Sequence, residues 1–71
     1  MDYVNPDHRD AIERMIDVSS LEAILRALVE ICDEKAEHIR ANWQDVETAR
    51  TWERCANKIL VAAEEAKDER V

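Results

Sequence analysis

Apolar residues recur at three- or four-residue steps through two long segments of this chain, on either side of the polar stretch at residues 42–45. Such spacing places apolar side chains in one stripe along an α-helix. The upstream stripe consists of Leu21, Leu25, Leu28, Cys32, Ala36 and Ile39. The downstream stripe consists of Val46, Ala49, Trp52, Ala56, Ile59, Ala63 and Ala66. The pattern therefore predicts two long helices, over residues 20–41 and 46–68.

The two stripes are near mirror images about the stretch between them, which predicts an antiparallel helical hairpin. Residues that face each other in such a hairpin have numbers with a nearly constant sum. Large residues then mostly face small ones, which allows two helices to interdigitate without voids. The expected facing pairs are Ile39 with Ala49, Ala36 with Trp52, Cys32 with Cys55, Leu28 with Ile59, Leu25 with Ala63, and Leu21 with Ala66.

The connection between the two helices must form without glycine, because the chain contains none. Asparagine is the next most tolerant residue for a left-handed conformation, so Asn42 is expected to end the first long helix. Asp45 is expected to cap the next helix by accepting from backbone N–H groups of its first turn. In the alternative arrangement, Asn42 is the cap and Asp45 lies within the first turn.

A shorter helix is predicted ahead of the hairpin, over residues 6–17, after an extended lead-in at residues 1–5. Asn5 followed by Pro6 is typical of a helix start, since proline lacks an N–H that would be unpaired there. The apolar stripe of this helix consists of Ala11, Ile12, Met15 and Ile16. A helix of three turns is not stable alone in water. We therefore expect it to dock on the hairpin.

Residues 1–71 are expected to form one all-α domain, with a short helix followed by a long antiparallel hairpin. The inner face of the second helix is wider than one partner helix can cover, comprising Leu21, Ile24, Leu25, Leu28, Val29, Ile31 and Cys32. A chain of 71 residues also buries too little apolar surface for high stability by itself. Both observations favour a homodimer, in which two hairpins form a helical bundle.

Charge and hydropathy restrict the classes of partner. Seventeen Asp and Glu residues against ten Lys and Arg residues give a formal charge of −7, which disfavours direct binding to nucleic acid. The longest purely apolar run, Ile59–Ala63, is far too short to span a membrane. The acidic N-terminal segment lacks the apolar core of a signal peptide. We therefore expect a cytoplasmic protein.

Cys32 and Cys55 are the most specific pairing in the chain, because both lie equally far from the turn. The favoured interpretation is two inert thiols in the core, where cysteine behaves as a small apolar residue. The alternatives are a disulfide or redox pair, or half of a metal site. His38 and Glu34 share one helix face, but the sequence supplies no further ligands beside them. No metal or cofactor is therefore predicted.

Trp43 lies in the turn and allows two interpretations. In the favoured one it folds over the end of the hairpin and covers Ile39 and Val46. In the other it is an exposed anchor for a partner, because tryptophan is enriched among binding hot spots. The candidate partner-binding residues are Trp43, Val29, Leu60 and Val61.

The residues that carry common enzyme chemistry are not arranged in any known pattern. No Ser-His-Asp or Cys-His arrangement is suggested, and a glycine-rich phosphate loop is excluded by the lack of glycine. We therefore predict a small non-enzymatic interaction protein, a regulator, inhibitor or adaptor that acts through a helical or turn surface. The alternative is an acidic nucleic-acid mimic that blocks a nucleic-acid-binding protein through its basic surface, as small phage-encoded inhibitors do. A weaker alternative is a thiol-based redox or metal sensor.

Overall fold

The computed structural model describes residues 4–71 and contains three helices, α1 (Pro6–Val18), α2 (Leu21–Asn42) and α3 (Val46–Glu69). No strand occurs within the described residues, and α2 and α3 pack against each other as a hairpin. The predicted all-α fold and helical hairpin are confirmed, and each predicted helix boundary lies within one residue of the observed one. Residues 1–3 of the predicted lead-in lie outside the described residues.

The first two helices begin at side-chain caps. Asn5 caps α1, its Oδ1 accepting from the backbone N–H of Asp7 at 2.8 Å, and Pro6 occupies the first helical position as predicted. Ser20 caps α2, its hydroxyl oxygen accepting from the N–H of Ala23 at 3.0 Å. Each cap satisfies a backbone donor that has no partner inside its helix, and thereby fixes the residue at which the helix begins.

The turn between α2 and α3 differs from the prediction at one residue. Asn42 remains helical because its side-chain amide donates to the carbonyl oxygen of His38 at 3.0 Å, which satisfies one of the last acceptors of α2. The left-handed residue is instead Gln44, with φ of 54°. Asp45 caps α3 as predicted, accepting from the N–H of Thr48 at 3.1 Å and from its hydroxyl at 2.7 Å. Asn42 therefore ends α2 as expected, but in a helical and not a left-handed conformation, and the alternative in which it caps α3 is wrong.

The contact between α2 and α3 is a seam of small side chains. The buried residues are Cys32, Ala36, Ala49, Ala56, Ala63 and Ala66. Three of the alanines are seven residues apart, the repeat that keeps one side of a helix facing its partner. Within residues 4–71 no buried side chain is larger than cysteine. The predicted stripes lie only partly at the seam: larger residues such as Leu25, Trp52 and Ile59 are half-buried at its edges. Leu28 and Val46, which also belong to the predicted stripes, are exposed.

Helix α1 adds little to this core. Its backbone approaches α2 and does not approach α3 within 8 Å (Cα–Cα) anywhere in the described chain. None of its residues is buried, and Ile12 and Met15 are exposed. The radius of gyration is 13.8 Å, against about 11 Å for a compact chain of this length. The expected docking of α1 on the hairpin is thus limited to a contact with α2.

Candidate interaction surface

One side of the hairpin is fastened by ion pairs between the two helices. Arg26 of α2 lies 2.8 Å from Glu64 of α3 and 2.8 Å from Glu22 one turn earlier. Near the turn, Arg40 of α2 lies 2.8 Å from Glu53 of α3. We call this side, marked by these five residues, the ion-pair face. Exposed pairs of this kind contribute little stability each, but they identify the sides of α2 and α3 that adjoin here.

The hydrogen bonds of these pairs also shift the ionisation of their members. The pKa of Glu64 is lowered because its carboxylate accepts a hydrogen bond from Arg26. The pKa of Glu53 is lowered in the same way by the hydrogen bond from Arg40. The pKa of each arginine is raised by the same hydrogen bonds. These hydrogen bonds therefore favour the charged forms of Glu53 and Glu64 and of the two arginines that bind them.

The opposite side of the hairpin is apolar. On α2, Ile24, Leu28 and Ile31 follow one another at four- and three-residue steps and share one side of the helix. On α3, three residues with the same kind of spacing do likewise: Trp52, Cys55 and Ile59. At 100° per residue, both rows fall on the side of the seam away from the arginine–glutamate pairs. We call these six residues the apolar face.

The apolar face is substantially open to solvent. Leu28 is 40% exposed and Ile31 is 46% exposed, and Cys55 on the neighbouring helix is exposed as well. A shallow apolar groove runs along its α3 half, lined by Thr48, Thr51, Trp52 and Cys55. A contiguous apolar surface rimmed by polar residues is the usual mark of a protein–protein contact.

The total surface area agrees with an uncovered face. The chain exposes 5955 Å² of accessible surface. A compact monomer of 8.3 kDa exposes about 4,600 Å² by the usual scaling with mass. The excess is more than about 1,000 Å², whereas a standard protein–protein interface needs about 800 Å² from each partner. The chain is therefore less compact than its mass predicts, in agreement with the absence of buried residues from α1.

Trp43 lies at the turn end of the hairpin with 72% of its surface exposed. The favoured sequence interpretation, in which it covers Ile39 and Val46, is therefore wrong. Val46 itself is exposed. The exposed position agrees with the geometry expected of an anchor residue, whose function as an anchor stays a prediction.

The other candidate partner-binding residues do not form one patch with Trp43. Val29 is half-buried. By the constant sum of facing residue numbers in the hairpin, it lies opposite Leu60, on the ion-pair side of the seam. Leu60 is partly exposed, and Val61 is exposed about 100° further round α3. Val61 also lies roughly 22 Å along α3 from its first residue, Val46, at 1.5 Å per residue. The sequence prediction thus missed the apolar face as a unit, although its regular spacing was a readable signal.

The two cysteines occupy different environments. Cys32 is buried in the seam, while Cys55 is exposed on the apolar face, and both are free thiols. The expectation of two buried core thiols is therefore wrong for Cys55. The seam residue of α3 at this level is the buried Ala56, and a one-residue step turns a side chain about 100° around the helix. Among residues 4–71, no cluster of three or more His, Cys, Asp or Glu residues could hold a metal ion.

An acidic row follows the outer side of α2. It consists of Glu30, Asp33, Glu34 and Glu37, all exposed and none within 4.0 Å of a cationic side chain in the part of the chain that the structure describes. These carboxylates are one turn or less apart along the helix. They place four of the seventeen acidic side chains of the chain close together on one surface.

Comparisons with known proteins add no relative: no family model, no curated protein and no solved structure matches this chain. As for membranes, none of the helices within residues 4–71 has both the length and the apolar character required to cross one. Arguments about function therefore rest on the surfaces described above.

Proposed function

We propose that this protein is a small non-enzymatic interaction module that works as a homodimer in the cytoplasm. In this proposal the apolar face mediates self-association, and the exposed turn at Trp43 contacts another protein. The observation that carries the proposal is the partly exposed row of Leu28 and Ile31 beside Cys55, on a chain that leaves more surface uncovered than its mass requires.

Energetics favour an occupant for the apolar face. The buried seam contains only alanine and cysteine side chains, which bury little apolar area, so the hairpin alone has a thin core. Transferring apolar surface from water into a contact yields about 25 cal/mol per Å². Covering the apolar face with a second copy would thus supply stability that the single chain lacks.

Self-association would leave the turn accessible. Trp43 lies at the end of the hairpin, beyond the rows of the apolar face. Tryptophan supplies a large contact area with few rotatable bonds, and for this reason it is common among residues that dominate binding energy. A dimer would present two such turns, and the surrounding negative charge would favour a partner with a basic surface.

The proposal is tested by sedimentation velocity of the wild-type chain and of charge-introducing variants. Ile31→Glu places a carboxylate in the apolar face, while the matched control Val61→Glu places one on the outer side of α3. We expect a wild-type dimer, a monomeric but helical Ile31→Glu variant, and a dimeric control. A wild type that sediments as a monomer at all accessible concentrations would overturn the homodimer.

A second candidate function is favoured by the acidic row on α2. Exposed carboxylates on one helix face would allow the protein to occupy the basic site of a nucleic-acid-binding protein. Such binding depends on charge, so the recovery of a co-purified partner should collapse as salt is raised, because salt screens exposed charges. Glu34→Gln with Glu37→Gln should then weaken recovery, and Trp43→Ala should not. If the turn makes the contact, recovery of the partner should persist at high salt. Trp43→Ala should then weaken recovery, and the double glutamine variant should not.

A further inference from the structure

We propose, on the basis of the homodimer proposed above, that the dimer is formed by exchange of α1. In this arrangement the apolar stripe of α1 from one copy packs on the apolar face of a second copy. The stripe consists of Ala11, Ile12, Met15 and Ile16. The α1 stripe of the second copy packs on the apolar face of the first, which completes a two-fold assembly. The occupant of the apolar face is thus a helix of another copy of this chain.

The first observation is that α1 lacks a docking site within its own chain. Its backbone approaches only α2, and none of its residues is buried. Met15 is 48% exposed, and Ile12 beside it is exposed as well. An isolated helix of 13 residues is marginal in water, so a stable α1 requires that its apolar stripe be covered.

The second observation is that the two uncovered surfaces are similar in length. From Ala11 to Ile16 the apolar stripe of α1 extends about 8 Å, at 1.5 Å per residue. The α2 row of the apolar face, from Ile24 to Ile31, extends about 10 Å. Both surfaces are built of aliphatic side chains at helical spacing. One helix of a second copy therefore fits the length of the face.

Charge is complementary at one point on the borders of the two surfaces. Asp17 lies at one edge of the α1 stripe, one turn after Glu13, which itself lies 3.9 Å from Arg9 of the same helix. Lys35 continues the α2 row of the apolar face, four residues after Ile31. A second copy can therefore bring the carboxylate of Asp17 towards this lysine.

The connection between α1 and α2 favours exchange. Only Ser19 and Ser20 separate the two helices, and Ser20 is extended, with φ of 176° and ψ of 163°. Across this short connection α1 contacts α2 and not α3. Exchange of an identical element between copies is an economical route to a dimer. A dimer formed by the two apolar faces alone would leave the stripe of α1 exposed, whereas exchange covers both surfaces.

The test uses two proteins, each with a single reactive thiol. The arm protein carries Met15→Cys with Cys32→Ala and Cys55→Ala, and the face protein keeps Cys55 with Cys32→Ala. A mass tag on one protein identifies mixed products. After subunit mixing and treatment with a short bismaleimide linker, we expect a covalent mixed dimer at several times the yield of the control arm protein. That control carries Arg14→Cys in place of Met15→Cys, at a position about 100° round α1 from Met15 and off the apolar stripe.

Three outcomes would overturn the exchange, and they differ in what they mean for the homodimer. Equal mixed-dimer yields for Met15→Cys and Arg14→Cys, with all proteins sedimenting as dimers, would refute exchange and leave the homodimer intact. A chain with both Met15→Cys and the native Cys55 that cross-links within itself, at monomer mass, would show that α1 closes on its own hairpin. Monomeric sedimentation of every protein would refute the homodimer as well.

Discussion

Enlarging Ala56 to valine should destabilise the hairpin, because Ala56 is only 2% exposed in a seam whose buried side chains are all alanine or cysteine. Adding methyl groups to a well-packed contact costs about 1–3 kcal/mol through strain and displaced helices. Valine in place of alanine costs up to about 0.7 kcal/mol more in helix propensity. For a domain of this size, about 2 kcal/mol lowers the melting temperature by about 8–16 °C.

The matched control is Ala41→Val, at an exposed position near the end of α2. It carries the propensity cost without the steric cost, so the difference between the two variants isolates the packing of the seam. Thermal unfolding followed by circular dichroism measures both, at one fixed protein concentration because association raises the apparent stability. Equal melting temperatures for Ala56→Val and Ala41→Val would refute a close-packed alanine seam.

Three further predictions concern the surface, the turn and the cap. Ile31→Ala should raise the dimer dissociation constant about 10- to 100-fold. Dimerisation completes the burial of one half-exposed isoleucine in each copy, which contributes about 1.5–3 kcal/mol per dimer. Sedimentation equilibrium measures the dissociation constant, and an equal effect of Val61→Ala would contradict the prediction. Trp43→Ala should leave the melting temperature unchanged because the side chain is mostly exposed. Trp52→Ala should lower the melting temperature, because loss of this half-buried side chain costs about 2 kcal/mol of stability. A larger loss for Trp43→Ala than for Trp52→Ala would show that the turn is part of the core. Asp45→Ala should lower the melting temperature at neutral pH. Because hydrogen bonds lower the pKa of Asp45 in the folded state, its contribution is complete above its unfolded pKa of about 4 and is lost as the pH falls through the lowered value. The melting temperatures of wild type and variant should therefore converge in acid, and a gap that widens there would contradict this assignment.

The hairpin could be predicted from sequence because it depends on periodicity. Ala49, Ala56 and Ala63 are spaced by seven residues, and this spacing places them on one side of a helix whatever surrounds them. The caps at Asn5 and Asp45 were predictable for a similar reason, since a short polar side chain satisfies backbone donors a few residues away.

The misassigned residues depend on tertiary geometry that spacing alone does not determine. Cys55 was paired with Cys32 by a sum rule accurate to about one residue, yet one residue rotates a side chain by about 100°. That rotation separates a buried position from an exposed one. At the turn, the side chain of Asn42 bonds the His38 carbonyl, which moves the left-handed residue to Gln44.

The candidate site could be predicted only in part. A spare apolar side followed from the width of the α2 stripe, and the spacing of each row could be read from the sequence. Which rows lie on the same side of the hairpin became clear only from the ion pairs of Arg26 and Arg40, which mark the other side. The exposure of Trp43 was equally undetermined, because it depends on whether any element covers the end of the hairpin. Periodicity gives the side of a helix on which a residue lies, and the neighbouring elements determine whether that side is covered.

Native mass spectrometry of the unmodified chain, kept under reducing conditions, tests the central claim most directly. The account predicts a non-covalent dimer at twice the chain mass of 8.3 kDa, dissociating on dilution, because the apolar face needs a second copy to cover it. A species of 8.3 kDa at every concentration would contradict the account, since the apolar face would then remain uncovered in a stable monomer.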